Sequence, residues 1–474
     1  MATRRHSSRT SKHSPLDDNL LTSAFLSEFS PFCDSYDLLP LDTSDISPNS
    51  LESTLSAIAD GSLEPFYDDD DNPTWAEAMA LLKRKFWIAS TREELKSLED
   101  LQVFILVPWS SVPKGCRPLK GKLVCKHKRD DTGKVTRYKV RYVAKGFAQI
   151  PRLDFNKTTA PTAWLESLHA IAHIAVSLNW ELHQFDIKTT FLNGILPEDK
   201  QLYMEQPPGF EVIGKKEWVL HLMKSIYGMK QASHVWNITF NGAIISWGFT
   251  WLSCEWCIYF RTSPSGTVIF SIHVDDIFAA ASSREEMEAF KALLQSKWEI
   301  SDLSPAKFAL GIAMTCDCAS HTISLSQTTY ISCLLNCFEV GDAKMADTPM
   351  VTGLQLRHPD DSAPVTPEIV KWRLQTPYHK LVSSLMYLAV ATRPDIAFAV
   401  GHLSSFLSCY TLDHWSAAIR VLHYLKGTRS LSLVLGCDCS PSLIGYSDSD
   451  YANCPNTSRS ISSHCHSLGA GIIS

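Results

Sequence analysis

The 474-residue sequence lacks the features that mark membrane-embedded and secreted proteins. No apolar run reaches the roughly 18 residues that a membrane-spanning helix needs, and two carboxylates interrupt the longest candidate, residues 267–281. The N-terminus is basic and Ser-rich but has no apolar segment of the signal-peptide type. We therefore expect an intracellular protein with no membrane partner.

The 14 cysteines have no regular spacing. Cys254 and Cys257 form a CxxC pair, but no second pair lies at the spacing of a zinc finger. This pattern favours reduced, structural thiols in a reducing compartment over a disulfide framework or a zinc site.

The sequence also has no overall basic charge, since its net charge is -6, but its charges are unevenly distributed. Residues 114–145 contain twelve Lys or Arg and only two Asp. Basic and apolar positions alternate there around Asp131, Thr132 and Gly133, which predicts a β-hairpin with one basic face. The Asp-Thr-Gly triplet also matches a short aspartic-protease signature, but its basic, polar surroundings argue against a protease.

The length predicts two to four domains, and a 45% hydrophobic composition is typical of a globular protein. Residues 1–72 are rich in Ser, Asp and Pro and are expected to be disordered. Helical spacing begins at Trp75 and recurs over 164–178 and 378–428. Ser283, with Glu286 three residues later, predicts the capped start of another helix.

Two adjacent carboxylates, Asp275 and Asp276, separate the predicted strands 267–274 and 277–281. Asp-Asp is not a favoured two-residue hairpin turn, and ionised neighbours repel each other unless a cation lies between them. Asp186 follows another short predicted strand. Three carboxylates at neighbouring strand ends could hold two Mg²⁺ ions, although most isolated Asp-Asp pairs lie in surface turns.

Several segments, taken together and in order, resemble the reverse transcriptase region of copia-type LTR retrotransposon polyproteins. The resemblance covers roughly residues 73–450, and the segments that carry it are KVRYVAKGFAQ, LDFNKTTAPT, HQFDIKTTFLNG, LYMEQPPGF, KSIYGMKQASHVW, HVDDI, YHKLVSSLMYLAVATRPDIAFAV and HWSAAIRVLHYLKGT. It implies an α/β (α+β) right-hand polymerase fold with fingers, palm and thumb. It also implies template-directed transfer of deoxynucleotides from their triphosphates onto the primer 3′-end of an RNA or DNA template.

By resemblance, Asp186, Asp275 and Asp276 are the catalytic aspartates, which bind two Mg²⁺ or Mn²⁺ ions together with the Ile187 carbonyl. One ion would activate the primer hydroxyl and the other would stabilise the leaving pyrophosphate. Phe191 resembles the aromatic residue that excludes a ribose 2′-hydroxyl, although its spacing fits a core aromatic nearly as well.

Further nucleotide-binding positions are implied on the basic hairpin and in a later loop. Lys139 and Arg141 resemble the cations that grip the triphosphate, and a solvated hairpin face is an equally good interpretation of them. The loop residues lie in a stretch that resembles the motif beneath the templating base, and they are Tyr227, Gly228, Lys230 and Gln231.

Near the C-terminus, LIGYSDSDYANC resembles the first strand of a retroelement RNase H, with Asp448 as its first metal-binding residue. The further carboxylates of such a site do not follow, so we expect a truncated RNase H segment over 441–474. Fingers and palm are expected over 73–310, and a thumb and connection, mostly helical towards its end, over 311–430.

The sequence departs from the family pattern at Leu123, Trp164, His169 and His273. Two alternatives therefore stay open: a catalytically inactive retroelement remnant, and a nucleic-acid-binding protein that keeps the polymerase fold. The family implies a cytoplasmic particle or the nucleus as the location. The sequence does not indicate an oligomeric state.

Overall fold

The computed structural model describes residues 72–80, 83–129, 134–359, 366–437, 442–452, 454–455, 457–469 and 471–474. The predicted disordered segment 1–72 and the predicted turn at 131–133 lie outside the described residues, apart from residue 72. No helix among the described residues is both long enough and apolar enough to cross a membrane.

The first described part of the chain combines a helical pair with two antiparallel β-structures. Its elements are α1 (Trp75–Ala80), α2 (Arg84–Asp100), β1 (Phe104–Pro108), β2 (Gly121–Arg129) and β3 (Val135–Ala144). β2 and β3 form the basic hairpin that the sequence predicts. Helix α2 packs against β3, where the Ser90 hydroxyl donates to the Tyr138 carbonyl at 2.9 Å.

The middle of the chain forms a six-stranded antiparallel sheet with helices on both faces. The elements of this part of the chain are α3 (Leu165–Ser177), β4 (Glu181–Ile187), α4 (Thr190–Asn193), β5 (Leu202–Met204), β6 (Trp218–Leu222), α5 (Ala232–Ser246), β7 (Thr250–Trp251), β8 (Ile258–Ser263), β9 (Gly266–His273), β10 (Asp276–Ala281), α6 (Arg284–Lys297) and β11 (Ile300–Asp302). Of these, β5 and β6 form a separate three-stranded sheet with β1, in the order β1-β6-β5. The central sheet has the strand order β11-β4-β10-β9-β8-β7.

Alternation along the central strands explains how both faces of this sheet are covered. Leu182 and Phe278 belong to an apolar cluster with α3, whereas Phe185 and Ile277 belong to another cluster with α5 and α6. A strand that is covered on both faces is apolar at consecutive positions, and every residue of β9 is buried. The polar ends of β4 and β10 therefore stand out against an apolar sheet.

The remaining elements build a second sheet, a helical cluster and a small C-terminal sheet. They are β12 (Phe308–Ala309), β13 (Ile312–Asp317), β14 (Thr322–Ser326), α7 (Thr328–Cys337), α8 (Pro367–Gln375), α9 (Tyr378–Ala391), α10 (Ala397–Ser404), α11 (Leu412–Gly427), β15 (Leu433–Gly436), β16 (Leu443–Ser449), β17 (Ser462–Leu468) and β18 (Gly471–Ile472). Helices α7 and α9–α11 share one apolar core.

Most predicted elements are present, and the mixed α/β class is confirmed. The helix predicted over 164–178 spans Leu165–Ser177, and the block 378–428 is mostly helical. The Ser283 hydroxyl caps α6 by accepting from the Glu286 amide. The division into fingers and palm, thumb and RNase H segments stays a prediction.

Candidate active site

The site lies where β4 and β10 run side by side in the central sheet. Asp276 is the direct cross-strand partner of Asp186, and Ile277 is the partner of Phe185. Directly opposed residues have Cβ atoms about 4.5–5.5 Å apart on the same face of a sheet. The two carboxylates, 90 positions apart in the sequence, therefore project from one face of the sheet.

The connection between β9 and β10 differs from the sequence prediction. Asp276 is the first residue of β10 and pairs with His273, so Val274 and Asp275 form the turn instead of Asp275 and Asp276. Val274 has a φ of 59°, a conformation that strains a β-branched residue. The Trp236 indole donates to the Val274 carbonyl at 2.8 Å and helps to hold this turn.

The same turn is attached to the end of β4. The Ile187 amide donates to the Asp275 carbonyl at 3.0 Å, which fixes the third aspartate beside the other two. Asp186 lies within β4, one residue before its end, and not after the strand as the sequence suggested. Gln184, two residues earlier on the same face, donates to Asp276 Oδ1 at 3.4 Å.

The three carboxylates destabilise one another's negative charge. Burial, followed by the charges of Asp276 and Asp186, raises the pKa of Asp275 to about 7. Burial and Asp186 raise the pKa of Asp276 to about 6. Burial also raises the pKa of Asp186, whereas the charges of Lys139 and Lys188 lower it. An additional cation would relieve this repulsion.

The donor set suits a hard cation, because carboxylate and carbonyl oxygens are the ligands that Mg²⁺ prefers. No group of three His, Cys, Asp or Glu side chains is arranged to hold a metal ion within the described residues. The Ile187 carbonyl already accepts a hydrogen bond from the Thr190 hydroxyl at 2.6 Å. The residue types therefore suit divalent cations in general.

The basic hairpin places two cations near these aspartates. The charge of Arg141 lowers the pKa of Asp275, and that of Lys139 lowers the pKa of Asp186. Burial and the neighbouring Arg141, Lys128 and Arg137 lower the pKa of Lys139 to about 8. Crowded, partly buried cations of this kind are well suited to bind an anion.

Arg141 has a further feature that suits an anionic ligand. Its guanidinium lies over the Tyr227 ring at 4.7 Å, and its buried Nε has no hydrogen-bond partner. Burial is the main factor that raises the pKa of Tyr227, to about 12. The solvated-hairpin interpretation therefore fits Arg141 less well than a role at the site.

The loop that follows β6 brings Tyr227 against two other predicted site residues, Phe191 and Arg141. The Phe191 and Tyr227 rings meet edge to face with centroids 6.0 Å apart, and Phe191 is half-buried. Gly228 has a φ of 82°, which favours glycine. Lys230 is exposed, with its Nζ 5.3 Å from the centre of the Phe155 ring, whereas Gln231 is buried.

Asp448 lies apart from this group, on β16 of the C-terminal sheet. It is exposed, pairs with Ser463 in the sheet register, and accepts from the Ser449 amide at 2.9 Å. Its assignment to an RNase H site stays a prediction.

Gln184 contacts the site and Glu255 holds a neighbouring helix, and the sequence analysis singled out neither residue as functional. Gln184 could have been found, since alternation along a strand places residues 184 and 186 on the same face. Glu255 had no such signal. It is buried and accepts hydrogen bonds from the Trp164 amide, at 2.7 Å, and from the Ser167 hydroxyl. It therefore caps α3 from a distance, where Trp164 offers no side-chain cap.

Comparison with known proteins agrees with the resemblance that the motifs indicated. The family described as reverse transcriptase (RNA-dependent DNA polymerase) matches residues 102–352. The retrovirus-related Pol polyprotein from transposon TNT 1-94 of Nicotiana tabacum is 36% identical over 408 residues, which are 86% of this chain and 30% of that protein. The corresponding polyprotein from transposon RE2 of Arabidopsis thaliana is 32% identical over 71% of this chain and 22% of its own length.

A solved structure of a foamy viral protease-reverse transcriptase in complex with double-stranded DNA aligns over 100% of this chain and 69% of that chain, with 13% identity and a TM-score of 0.44. The chain spans less than a third of the length of the two plant polyproteins. The ordered motifs and the family match over residues 102–352 lead to one conclusion: the chain belongs to the reverse transcriptase family of copia-type transposon Pol polyproteins.

Proposed function

We propose that this chain is an RNA-directed DNA polymerase that extends a primer by two-metal nucleotidyl transfer. The observation that carries the proposal is the pairing of Asp186 with Asp276 on adjacent strands, with Asp275 bound to the same strand end through its carbonyl. Two Mg²⁺ or Mn²⁺ ions, when bound, would supply Lewis-acid activation of the primer hydroxyl and charge stabilisation of the pyrophosphate.

The protein's own groups would hold the nucleotide around these carboxylates. Arg141 and Lys139 would bind the triphosphate, because both are cations close to the aspartates and Arg141 keeps an unpartnered donor. Phe191 would lie beside the sugar and exclude a 2′-hydroxyl. Tyr227, Gly228, Lys230 and Gln231 would form the surface beneath the base pair.

Residues 121–144 also suit the template backbone. Basic side chains on the hairpin would bind phosphates without reading sequence, so we expect template affinity to fall as the salt concentration rises. Binding and extension are separable properties. A chain that binds primer–template but does not extend it would fit the nucleic-acid-binding alternative.

The test is primer extension by the full chain on an RNA template of defined sequence. Complementary deoxynucleotides are supplied one at a time, with Mg²⁺ or Mn²⁺. We expect incorporation only of the nucleotide that the template specifies, on RNA as well as on DNA templates. A folded chain that binds the primer–template but adds no nucleotide with either metal would contradict the proposal and favour the inactive-remnant alternative.

A further inference from the structure

The loop Tyr227–Gln231 is held in place by the end of β3 and by the segment that follows it. The Ala144 amide donates to the Tyr227 carbonyl at 2.8 Å. A Cβ at Gly146 would lie 2.1 Å from the Gly228 carbonyl oxygen, and one at Gly228 would lie 2.4 Å from the Ala144 oxygen. The two backbones therefore approach more closely than side chains would permit.

One buried side chain connects the two segments by specific hydrogen bonds. Gln149 is only 3% exposed, and its Oε1 accepts from the Lys230 amide at 2.8 Å. Its Nε2 donates to Gln231 Oε1 at 3.0 Å. Gln231 Nε2 in turn donates to the Asp154 carbonyl at 3.3 Å.

The orientation of the Gln149 and Gln231 side-chain amides follows from the groups at the two ends of this series of hydrogen bonds. The Lys230 amide can only donate, so it requires the oxygen of Gln149. The Asp154 carbonyl can only accept, so it requires the nitrogen of Gln231. The middle bond, from the Gln149 nitrogen to the Gln231 oxygen, is then the only consistent arrangement.

These hydrogen bonds indicate that the Gln149 side chain positions the loop and does not merely fill space in the core. An apolar side chain of similar size would fill the volume of Gln149 but would leave the Lys230 amide and the Gln231 oxygen without their partners. Buried polar groups without partners are costly, so the loop would move to restore hydrogen bonds. Movement of the loop would displace the Tyr227 ring, which lies beneath Arg141, and it would also displace the side chain of Lys230.

We propose that Gln149 is a positioning residue. By fixing the loop Tyr227–Gln231 against the basic hairpin, it determines the position in which the incoming deoxynucleoside triphosphate binds. Gln149 acts through Lys230 and Gln231 and need not touch the nucleotide itself. This inference rests on the proposed polymerase function, and its test separates the two.

The test compares Gln149→Met with a matched buried glutamine. Gln206 is 8% exposed, donates to the Lys215 and Trp218 carbonyls and accepts from the Val212 amide, so Gln206→Met also removes buried hydrogen bonds. For Gln149→Met we expect KM for the deoxynucleotide to rise about tenfold, with KM for primer–template within about twofold of the parent. For Gln206→Met we expect both KM values to stay close to those of the parent.

A double variant tests whether the two amides act as one unit. Gln149→Met combined with Gln231→Met should raise KM for the nucleotide no further than the larger single effect, because either change breaks the same connection. Gln149→Glu should be intermediate, since it keeps an acceptor for the Lys230 amide but loses the donor to Gln231. Fully additive effects would overturn the inference.

Amide hydrogen exchange at residues 227–231 gives a second readout that needs no catalysis. We expect faster exchange in Gln149→Met and unchanged exchange in Gln206→Met. If the parent extends primers but Gln149→Met matches the parent in KM and in exchange, the inference falls and the polymerase function stands. If the parent extends no primer, the polymerase function falls, and unchanged exchange would overturn the positioning role as well.

Discussion

Asp186 and Asp276 are direct partners in the antiparallel register of β4 and β10. This relationship depends on register, because a slip of one residue would turn one of the two side chains to the opposite face of the sheet. The apolar neighbours Phe185 and Ile277 oppose such a slip, since both are buried on the other face. The core of the sheet thus fixes the position of the carboxylates.

The raised pKa values predict an unusual pH dependence of stability in the metal-free protein. The pKa of Asp275 is raised from 3.8 to about 7, so the folded state holds a proton that the unfolded chain releases above about pH 4. The contribution of Asp275 to the free energy of unfolding is therefore at its maximum below about pH 4, and it is lost as the pH rises through about 7. Neutral Asn mimics the protonated group, so Asp275→Asn should stabilise the metal-free chain by about 1–3 kcal/mol at pH 8 and little at pH 4.

Urea unfolding at several pH values measures this effect. Added Mg²⁺ should stabilise the parent more at pH 8 than at pH 6, because metal binding must displace protons from the aspartates, and should stabilise Asp275→Asn less. A parent and variant with the same pH profile would show that Asp275 is not protonated in the fold.

Arg141→Ala should weaken nucleotide binding without unfolding the hairpin. The unpartnered Nε and the position over Tyr227 indicate that the guanidinium is available to an anion. We expect KM for the deoxynucleotide to rise by about 10–100-fold in steady-state extension. Arg137→Ala is the control, because Arg137 is exposed on the same strand and is 4.0 Å from exposed Glu93. Equal effects of the two changes would indicate general charge attraction instead of a specific contact.

Phe191→Val separates the two interpretations of this aromatic residue. If the ring excludes ribonucleotides, the smaller side chain should lower the preference for deoxynucleotides over ribonucleotides, measured as the ratio of kcat/KM values, by at least about tenfold. If the ring only packs against Tyr227, melting temperature should fall and the preference should stay unchanged.

Glu255→Ala should destabilise the fold through α3. The substitution removes the acceptor of the Trp164 amide and the Ser167 hydroxyl, and hydrogen bonds to a charged group contribute about 1.5–3 kcal/mol each. Chemical denaturation should show this loss. Glu285→Ala is the comparison, because Glu285 is exposed in the first turn of α6, and its loss should cost under about 1 kcal/mol. Equal losses would mean that Glu255 is not a specific cap.

The sequence predicted those features that depend on local chemistry. Alternation along the chain predicted the basic hairpin, and Ser283 predicted the start of α6 because a hydroxyl at that position can accept the Glu286 amide. The same rules misplaced the β9–β10 turn by one residue, since nothing local announces a left-handed Val274. Tertiary packing overrode the local preference there.

Local sequence rules could not predict contacts between segments that are distant in the sequence. Gln149 and Gln231 lie 82 positions apart, and their hydrogen bond depends on two glycine backbones that meet only in the fold. The approach of Arg141 to Tyr227 depends likewise on how the hairpin packs in one apolar cluster with β6 and the loop that follows it. The motif resemblance, however, had already pointed to Arg141, Tyr227 and Gln231 as members of one site.

The most direct test of the central claim is single-nucleotide addition to a primer on an RNA template with Mg²⁺, using Asp186→Asn, Asp275→Asn and Asp276→Asn separately. Asp448→Asn is the matched control, because Asp448 is an exposed aspartate on the C-terminal sheet. We predict that the parent and Asp448→Asn add the templated nucleotide, and that each of the other three variants binds primer–template but loses at least about 100-fold in rate. Addition at the parent rate by a folded variant of any of these three aspartates would contradict the assignment of the metal-binding carboxylates.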